Sequence, residues 1–264
     1  NNLNDIIAGK VTVNITKTYD GLTVFDSNST YSFGGTFNND VVPYTAGQTT
    51  VANPDAGVYT SHTGSTLAIS NNNYTLNGAT YNLTINKATL TITASGVYSG
   101  STVITPVTQT INGLQNGEKM VATELTAQSP NVATVGNKVA AITGNTGTAK
   151  FSNYQVDAAN SPLTLTPKLV ALNGNLTATK TYDGNNSATF STVGITPSVV
   201  FGSDDLNVAS ITGTYDSVNV SNTRVVTVTA ATLGGASASN YAVDTSLQQT
   251  GVGTINQLAS ATWV

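Results

Sequence analysis

From Val11 to Tyr19 the side chains alternate with a period of two. Val11, Val13, Ile15, Lys17 and Tyr19 share one face, and Thr12, Asn14, Thr16 and Thr18 share the other. Successive side chains of a strand point to opposite sides, so this run predicts a half-buried strand with its hydroxyls and amides turned to water. The pattern returns over residues 172–182, with Leu172, Leu176, Ala178, Lys180 and Tyr182 inward and Asn173, Asn175, Thr177, Thr179 and Thr181 outward. Between the two, Leu90, Ile92, Ala94 and Tyr98 carry it a third time. Each run ends at Asp20-Gly21, Ser99-Gly100 or Asp183-Gly184, turn pairs in which glycine tolerates positive φ and aspartate bonds its own backbone. Later, Tyr74-Thr75-Leu76 and the segment 81–85 flank Asn77-Gly78, which predicts an antiparallel hairpin. Helical signals are confined to residues 118–127, where Met120, Glu124 and Leu125 allow a short amphipathic turn against the poor helix formers Val121, Thr123 and Thr126.

The three runs belong to three repeats. Thr16-Lys17-Thr18-Tyr19-Asp20-Gly21 recurs as Thr179-Lys180-Thr181-Tyr182-Asp183-Gly184, and a degraded copy, Gly96-Val97-Tyr98-Ser99-Gly100, lies between them. A second landmark, Asn73-Tyr74, Asn153-Tyr154 and Asn240-Tyr241, comes late in each repeat, with its tyrosines spaced 80 and then 87 residues apart. The expected modules are 1–87, 88–167 and 168–257, and residues 258–264 open a fourth. The junctions Asn86-Lys87-Ala88 and Thr166-Pro167-Lys168 are too short to act as free hinges, so the modules are expected in series, as an elongated, monomeric rod. Repeats of this size with many short strands and glycine-rich turns predict an all-β fold, an immunoglobulin-like sandwich in the first instance and a β-grasp module as the alternative.

These residues carry a family resemblance. The third repeat, with Thr179-Lys180-Thr181-Tyr182-Asp183-Gly184, Gly202-Ser203-Asp204-Asp205, the run 224–228 and Ser239-Asn240-Tyr241, resembles the YDG repeat of filamentous-haemagglutinin-type bacterial adhesins. The first repeat matches at Lys17-Thr18-Tyr19-Asp20-Gly21 and at Asp55-Ala56-Gly57-Val58-Tyr59. The second is similar to the related MBG repeat through 113–118 and Ser152-Asn153-Tyr154, although it lacks the signature lysine and aspartate. The resemblance implies a stalk or adhesive segment of a large secreted or surface-anchored bacterial protein, serving cell adhesion or biofilm formation. It names no ligand.

Composition narrows the chemistry. Charged residues are 8% of the chain against a globular norm of about 25%, which leaves a surface of neutral hydroxyls and amides suited to an extracellular location. A net charge of −4 without any basic run offers no footprint for nucleic acid. No apolar run is long enough for membrane insertion. The absence of cysteine removes disulfides and thiolate metal sites, and points to bacterial secretion for a β-rich exported chain. His62 is the single histidine, in a loop without a nucleophile elbow, so no catalytic set is expected, and no cofactor. Asp20, Asp183 and Asp204-Asp205 offer oxygen ligands without the spacing of a calcium loop, so no metal is expected either.

Lys17 and Lys180 fall on inward faces beside a tyrosine and near Asp20 and Asp183. The expectation is a stem packed on an aromatic ring with its ammonium paired, and the sharper alternative is a Lys–Asn isopeptide cross-link. The partners expected are neighbouring repeats of the same chain. The rival functional reading is a module that binds host or matrix glycans or proteins through exposed aromatics: Tyr31, Phe37, Tyr44 and Tyr215.

Overall fold

The computed structural model describes residues 9–259. The fourth repeat expected at 258–264 lies, from residue 260 onward, outside the described residues. The fold is all-β: among the described residues the regular elements are strands plus four single-turn 3-10 segments. The β-grasp alternative lacks the helix that defines it. Residues 118–127, the candidate helical turn, form instead the strand Met120–Ala127. Its threonines and Val121 favour an extended backbone, and it buries Met120, Ala122, Leu125 and Ala127. Gln109 reaches the backbone of this strand, its side-chain oxygen accepting from Ala122 N–H at 2.7 Å and its amide donating to Ala122 C=O at 2.8 Å.

The chain packs into two compact units. The first comprises Asn1–Ala94, Gln109–Thr126 and Lys138–Pro162, and the second Ser95–Thr108, Ala127–Asn137 and Leu163–Val264. The middle repeat therefore contributes segments to both.

In the first unit a four-stranded sheet runs in the order Thr30–Gly34, Gly9–Thr18, Tyr74–Asn86, Gly57–Tyr59. The opening strand Gly9–Thr18 lies antiparallel to Thr30–Gly34 and parallel to Tyr74–Asn86, with Ile15 opposite Leu83, both fully buried. The hairpin expected at Asn77-Gly78 does not form. Tyr74–Asn86 is a single strand in which Thr75 pairs with Lys10 and Thr80 with Thr12, so Asn77-Gly78 is absorbed as a bulge with Gly78 at φ 70°. Parallel pairing with the opening strand engages both halves of the segment, which a hairpin would forfeit.

In the second unit a five-stranded sheet runs Thr177–Thr181, Thr250–Asn256, Ser221–Gly234, Asn207–Tyr215, Ser187–Thr189. Leu172, Leu176, Ala178, Phe190, Ile211 and Val226 are among the residues of its core.

One pairing rule recurs in all three repeats. The tyrosine of each Asn-Tyr pair starts a strand parallel to the opening strand: Gly9 faces Tyr74, Ala88 faces Tyr154 and Lys168 faces Tyr241. The signature tyrosine just past the opening strand then donates its backbone N–H to the residue that ends the closing strand: Tyr19 to Asn86 C=O at 2.8 Å, Tyr98 to Thr166 C=O at 2.9 Å and Tyr182 to Asn256 C=O at 2.9 Å.

Val121 and Leu125 lie four apart, which a helix and a regular strand alike would place on one face, but the alternation breaks at Thr123-Glu124, so that this strand exposes Val121 and buries Leu125. Leu125→Ala is expected to cost about 2–5 kcal/mol and Val121→Ala within about 0.5 kcal/mol, read by chemical denaturation; equal costs would contradict the break at Thr123-Glu124.

Candidate functional site

The signature lysines close the first turn of their own repeats. Lys17 Nζ donates to Asp20 Oδ1 at 2.7 Å, Leu22 C=O at 2.7 Å and Val24 C=O at 2.8 Å, and sits 5.4 Å from the centre of the Phe25 ring. Lys180 Nζ donates to Asp183 Oδ1 at 2.8 Å, Asn185 C=O at 2.7 Å and Asn185 Oδ1 at 3.0 Å, 5.4 Å from the centre of the Tyr215 ring. Each ammonium thus fills all three donor directions and lies over an aromatic face. Asp20 and Asp183 also accept the N–H two residues on, from Leu22 and Asn185, which makes them the turn formers that the sequence suggested. The Lys180 ammonium, then the Asn185 N–H, hold the Asp183 carboxyl below its usual range. In the middle repeat Gly96 takes the lysine position. A Cβ there would lie 2.4 Å from Ile104 Cγ2, so an isoleucine from the neighbouring segment fills the space.

The signature tyrosines do something else. Tyr19 is 3% exposed, and what covers it is the next repeat. Its hydroxyl donates to Glu118 Oε1 at 2.6 Å, and its ring meets that of Tyr154 edge-on, centres 5.4 Å apart at 79°. Tyr154 OH donates to the other Glu118 oxygen and accepts from Gln115 N–H at 3.0 Å. Beside it, Asn153 Oδ1 accepts from Ala56 N–H at 2.8 Å while its amide donates to Asp55 Oδ1 at 2.9 Å, and Lys150 Nζ pairs with Asp55 Oδ2 at 2.8 Å. These contacts lie within the first unit and join the first repeat to the second.

The second unit builds the same joint between the second and third repeats. Tyr98, 4% exposed, donates its hydroxyl to Asp204 Oδ2 at 2.8 Å and meets Tyr241 edge-on, centres 5.3 Å apart at 73°. Tyr241 OH donates to the same carboxylate oxygen and accepts from Phe201 N–H at 2.8 Å. Asn240 Oδ1 accepts from Val132 N–H at 2.9 Å and its amide donates to Asn131 Oδ1 at 3.1 Å. Tyr98, Tyr241 and Val170 form a separate buried cluster with Val132, Phe201 and Leu206 packed against it.

The glycine of the signature completes the fit. Gly21 and Gly100 take φ of +77° and +76°, and a Cβ would lie 2.6 Å from Asn116 Cβ in one joint and 2.4 Å from Phe201 Cβ in the other. Each joint is thus a plug (tyrosine and glycine of one repeat) in a socket (acid loop and Asn-Tyr pair of the next).

Burial first, and the carboxylate it donates to second, push the Tyr154 and Tyr98 phenols up to about 12. Tyr19 is raised further, for the same reasons. Burial alone would raise Asp204, but the hydroxyls of Tyr241 and Tyr98 outweigh it and leave the carboxyl below its usual range. The signs follow by linkage. A raised phenol holds its proton more tightly when folded, so its contribution is whole below about pH 10 and is lost as pH climbs toward 12. The depressed Asp204 contributes above about pH 4 and loses that contribution on acidification.

Two expectations need correction. Tyr182, read as inward like Tyr19, is 37% exposed, because the signature tyrosine is covered by the following repeat rather than by its own. Tyr215, offered as an exposed ligand contact, is 3% exposed and belongs to the core of the third repeat beneath Lys180. Asp204, whose oxygens lack the spacing of a calcium loop, holds two phenols. Of the other aromatics, Tyr31 and Tyr44 stack on one another, centres 3.9 Å apart at 8°, with their hydroxyls on Asp26 C=O and Gly47 C=O. Phe37 is 76% exposed, and its N–H donates to Tyr74 OH at 2.8 Å. Asn73 is exposed beside Tyr74. His62 lies against the Tyr81 ring, centres 4.4 Å apart.

The joint acids went unnamed in the sequence, although a signal exists. Asp40, Glu118 and Asp204 precede the Asn-Tyr tyrosine by 34, 36 and 37 residues, each after turn residues. Asn38, Asn39, Asn116, Gly117 and Gly202 there take positive φ.

Residues 166–250 match the YDG domain. Neither a curated protein nor a solved structure matches the chain.

Gly100 and Gly184 share a left-handed φ, +76° and +79°, but only Gly100 faces a neighbour within 4 Å. Alanine at either position carries the same backbone strain of about 1–2 kcal/mol. Gly100→Ala is therefore expected to lower stability by at least about 1 kcal/mol more than Gly184→Ala, since it must also displace Phe201; equal melting shifts would contradict the close approach. Tyr98→Phe should cost about 1.5–3 kcal/mol at neutral pH. It should also remove one phenol that ionises near pH 12 from the ultraviolet titration curve. Loss of amplitude near pH 10 instead would show Tyr98 unpaired.

Proposed function

We propose that this chain is a non-enzymatic stalk segment of a large bacterial surface or secreted adhesin, of the filamentous-haemagglutinin type, that carries a binding tip away from the cell and so supports adhesion or biofilm formation. The observation that carries this reading is the joint built twice on one plan, carboxylate, two phenols and an asparagine clamp, across consecutive repeats. A spacer needs repeats that are held against one another, and these joints bury polar groups with their partners satisfied, which resists bending at the junctions. The YDG domain at 166–250 and the charge-poor coat of hydroxyls and amides agree with a place outside the cell. On this reading the chain works without cofactor or nucleic acid, and its first partners are neighbouring repeats.

Modules set in series should give a radius of gyration in small-angle scattering well above the compact-globule value of about 18 Å for this length. A value near 18 Å would overturn the stalk. The purified chain should also be silent on a glycan array, and saturable binding lost in Tyr44→Ala would transfer the function to the aromatic surface of the first repeat.

A further inference from the structure

The two joints use two sockets and two plugs, yet the described residues hold three of each. The unused socket is in the first repeat. There Tyr74 OH accepts from Phe37 N–H at 2.8 Å and donates to Asp40 Oδ2 at 2.9 Å. The loop closes by Asp40 N–H to Phe37 C=O at 2.9 Å, as Glu118 closes on Gln115 at 2.9 Å and Asp204 on Phe201 at 3.0 Å. The three loops are the same device. In the first, however, the carboxylate accepts one phenol instead of two, Asn73 is exposed where Asn153 and Asn240 are buried, and Phe37 is exposed where Phe201 packs on Tyr98.

The unused plug is in the third repeat. Tyr182 has the backbone bond of Tyr19 and Tyr98 but, among the described residues, no carboxylate, and none of their atoms stands within 4 Å of a Cβ at Gly184. Its second arm is present as well. Asp55 and Asn131, which the asparagine clamps hold, each donate N–H to a side-chain oxygen two residues earlier, on Asn53 and Ser129. Asn219 does the same toward Ser217, and Asn219 and Val220 are exposed where Asn131 and Val132 receive the clamp of Asn240.

We propose that these are the two halves of one further joint, and that the occupant of each is a second copy of this chain: Tyr182, Asn219 and Val220 of one copy enter the socket of Asn73, Tyr74, Asp40 and Phe37 of the next. The pairing joins different surfaces, so it is heterologous and adds copies head to tail without a fixed end point. Tyr182 OH supplies the second phenol to Asp40, and the Asn73 amide takes Asn219 and the Val220 N–H. Within one chain each joint closes across a junction of a few residues, at high effective concentration. Between copies that advantage is absent, so the association is weak and is read at roughly 0.1–1 mM protein. It rests on the joints alone.

Sedimentation velocity over this range tests it with the wild type, a plug variant Tyr182→Ala and a socket variant Asn73→Ala/Asp40→Ala, each checked by its melting profile. The expected result is a weight-average sedimentation coefficient that rises with concentration for the wild type and stays flat for each variant alone. An equimolar mixture of the two variants should regain association but stop at a dimer, because one intact plug meets one intact socket. A wild type that stays monomeric at about 1 mM, a variant that associates as the wild type does, or a mixture that stays monomeric would each overturn the proposal.

Discussion

A half-buried carboxylate shared by two buried phenols is the constraint from which the rest of this structure follows. Glu118 and Asp204 accept a hydroxyl from their own repeat and another from the repeat before. A buried phenol needs a partner, and a half-buried carboxylate both supplies one and regains from the hydroxyls the donors it loses from water. The socket tyrosine must be oriented, and a backbone N–H from Gln115 or Phe201 orients it. That donor must sit three residues before the acid, which forces the loop through positive φ and explains the Asn and Gly residues there. The glycine after the signature tyrosine must lack a Cβ because the acid loop lies against it.

Inside each repeat a different device holds the opening turn, and here chemistry is more freely exchanged. Lys17 and Lys180 satisfy every ammonium proton and rest on an aromatic face, which offsets the cost of removing the charge from water. The middle repeat replaces this with Gly96 beneath Ile104. A paired charge and a well-packed apolar group of similar volume are close in free energy, so the exchange leaves the turn intact. The joints show no such exchange. They vary instead in aspartate for glutamate, in the side chains of the acid loop, where Gln115 and Asn116 stand in one joint and Phe201 in the other, and in the loop the asparagine clamps.

Much of the fold was legible in the sequence because it is local. Alternation over residues 11–19 and 172–182 located the opening strands, since side-chain direction in a strand depends only on parity. The tyrosines of the Asn-Tyr pairs marked a recurring position before their role was visible. Asn77-Gly78 misled, because a turn signal describes what two residues permit, and here the parallel partner strand outweighed it. Tyr215 misled for a similar reason: its run sits in a variable mid-repeat segment, and only the closed sheet with Lys180 above it shows the ring inside.

By itself, the sequence determined the opening strands and the turns that end them, which follow from backbone geometry over a few positions. The tertiary structure alone decided what the signature tyrosines are for. Tyr19 and Glu118 lie 99 residues apart and Tyr98 and Asp204 lie 106 apart, and a hydrogen bond over such a separation leaves no periodicity to read. The same hexapeptide buries its tyrosine at Tyr19 and exposes it at Tyr182, because burial there depends on whether another repeat covers the ring and not on the six residues themselves.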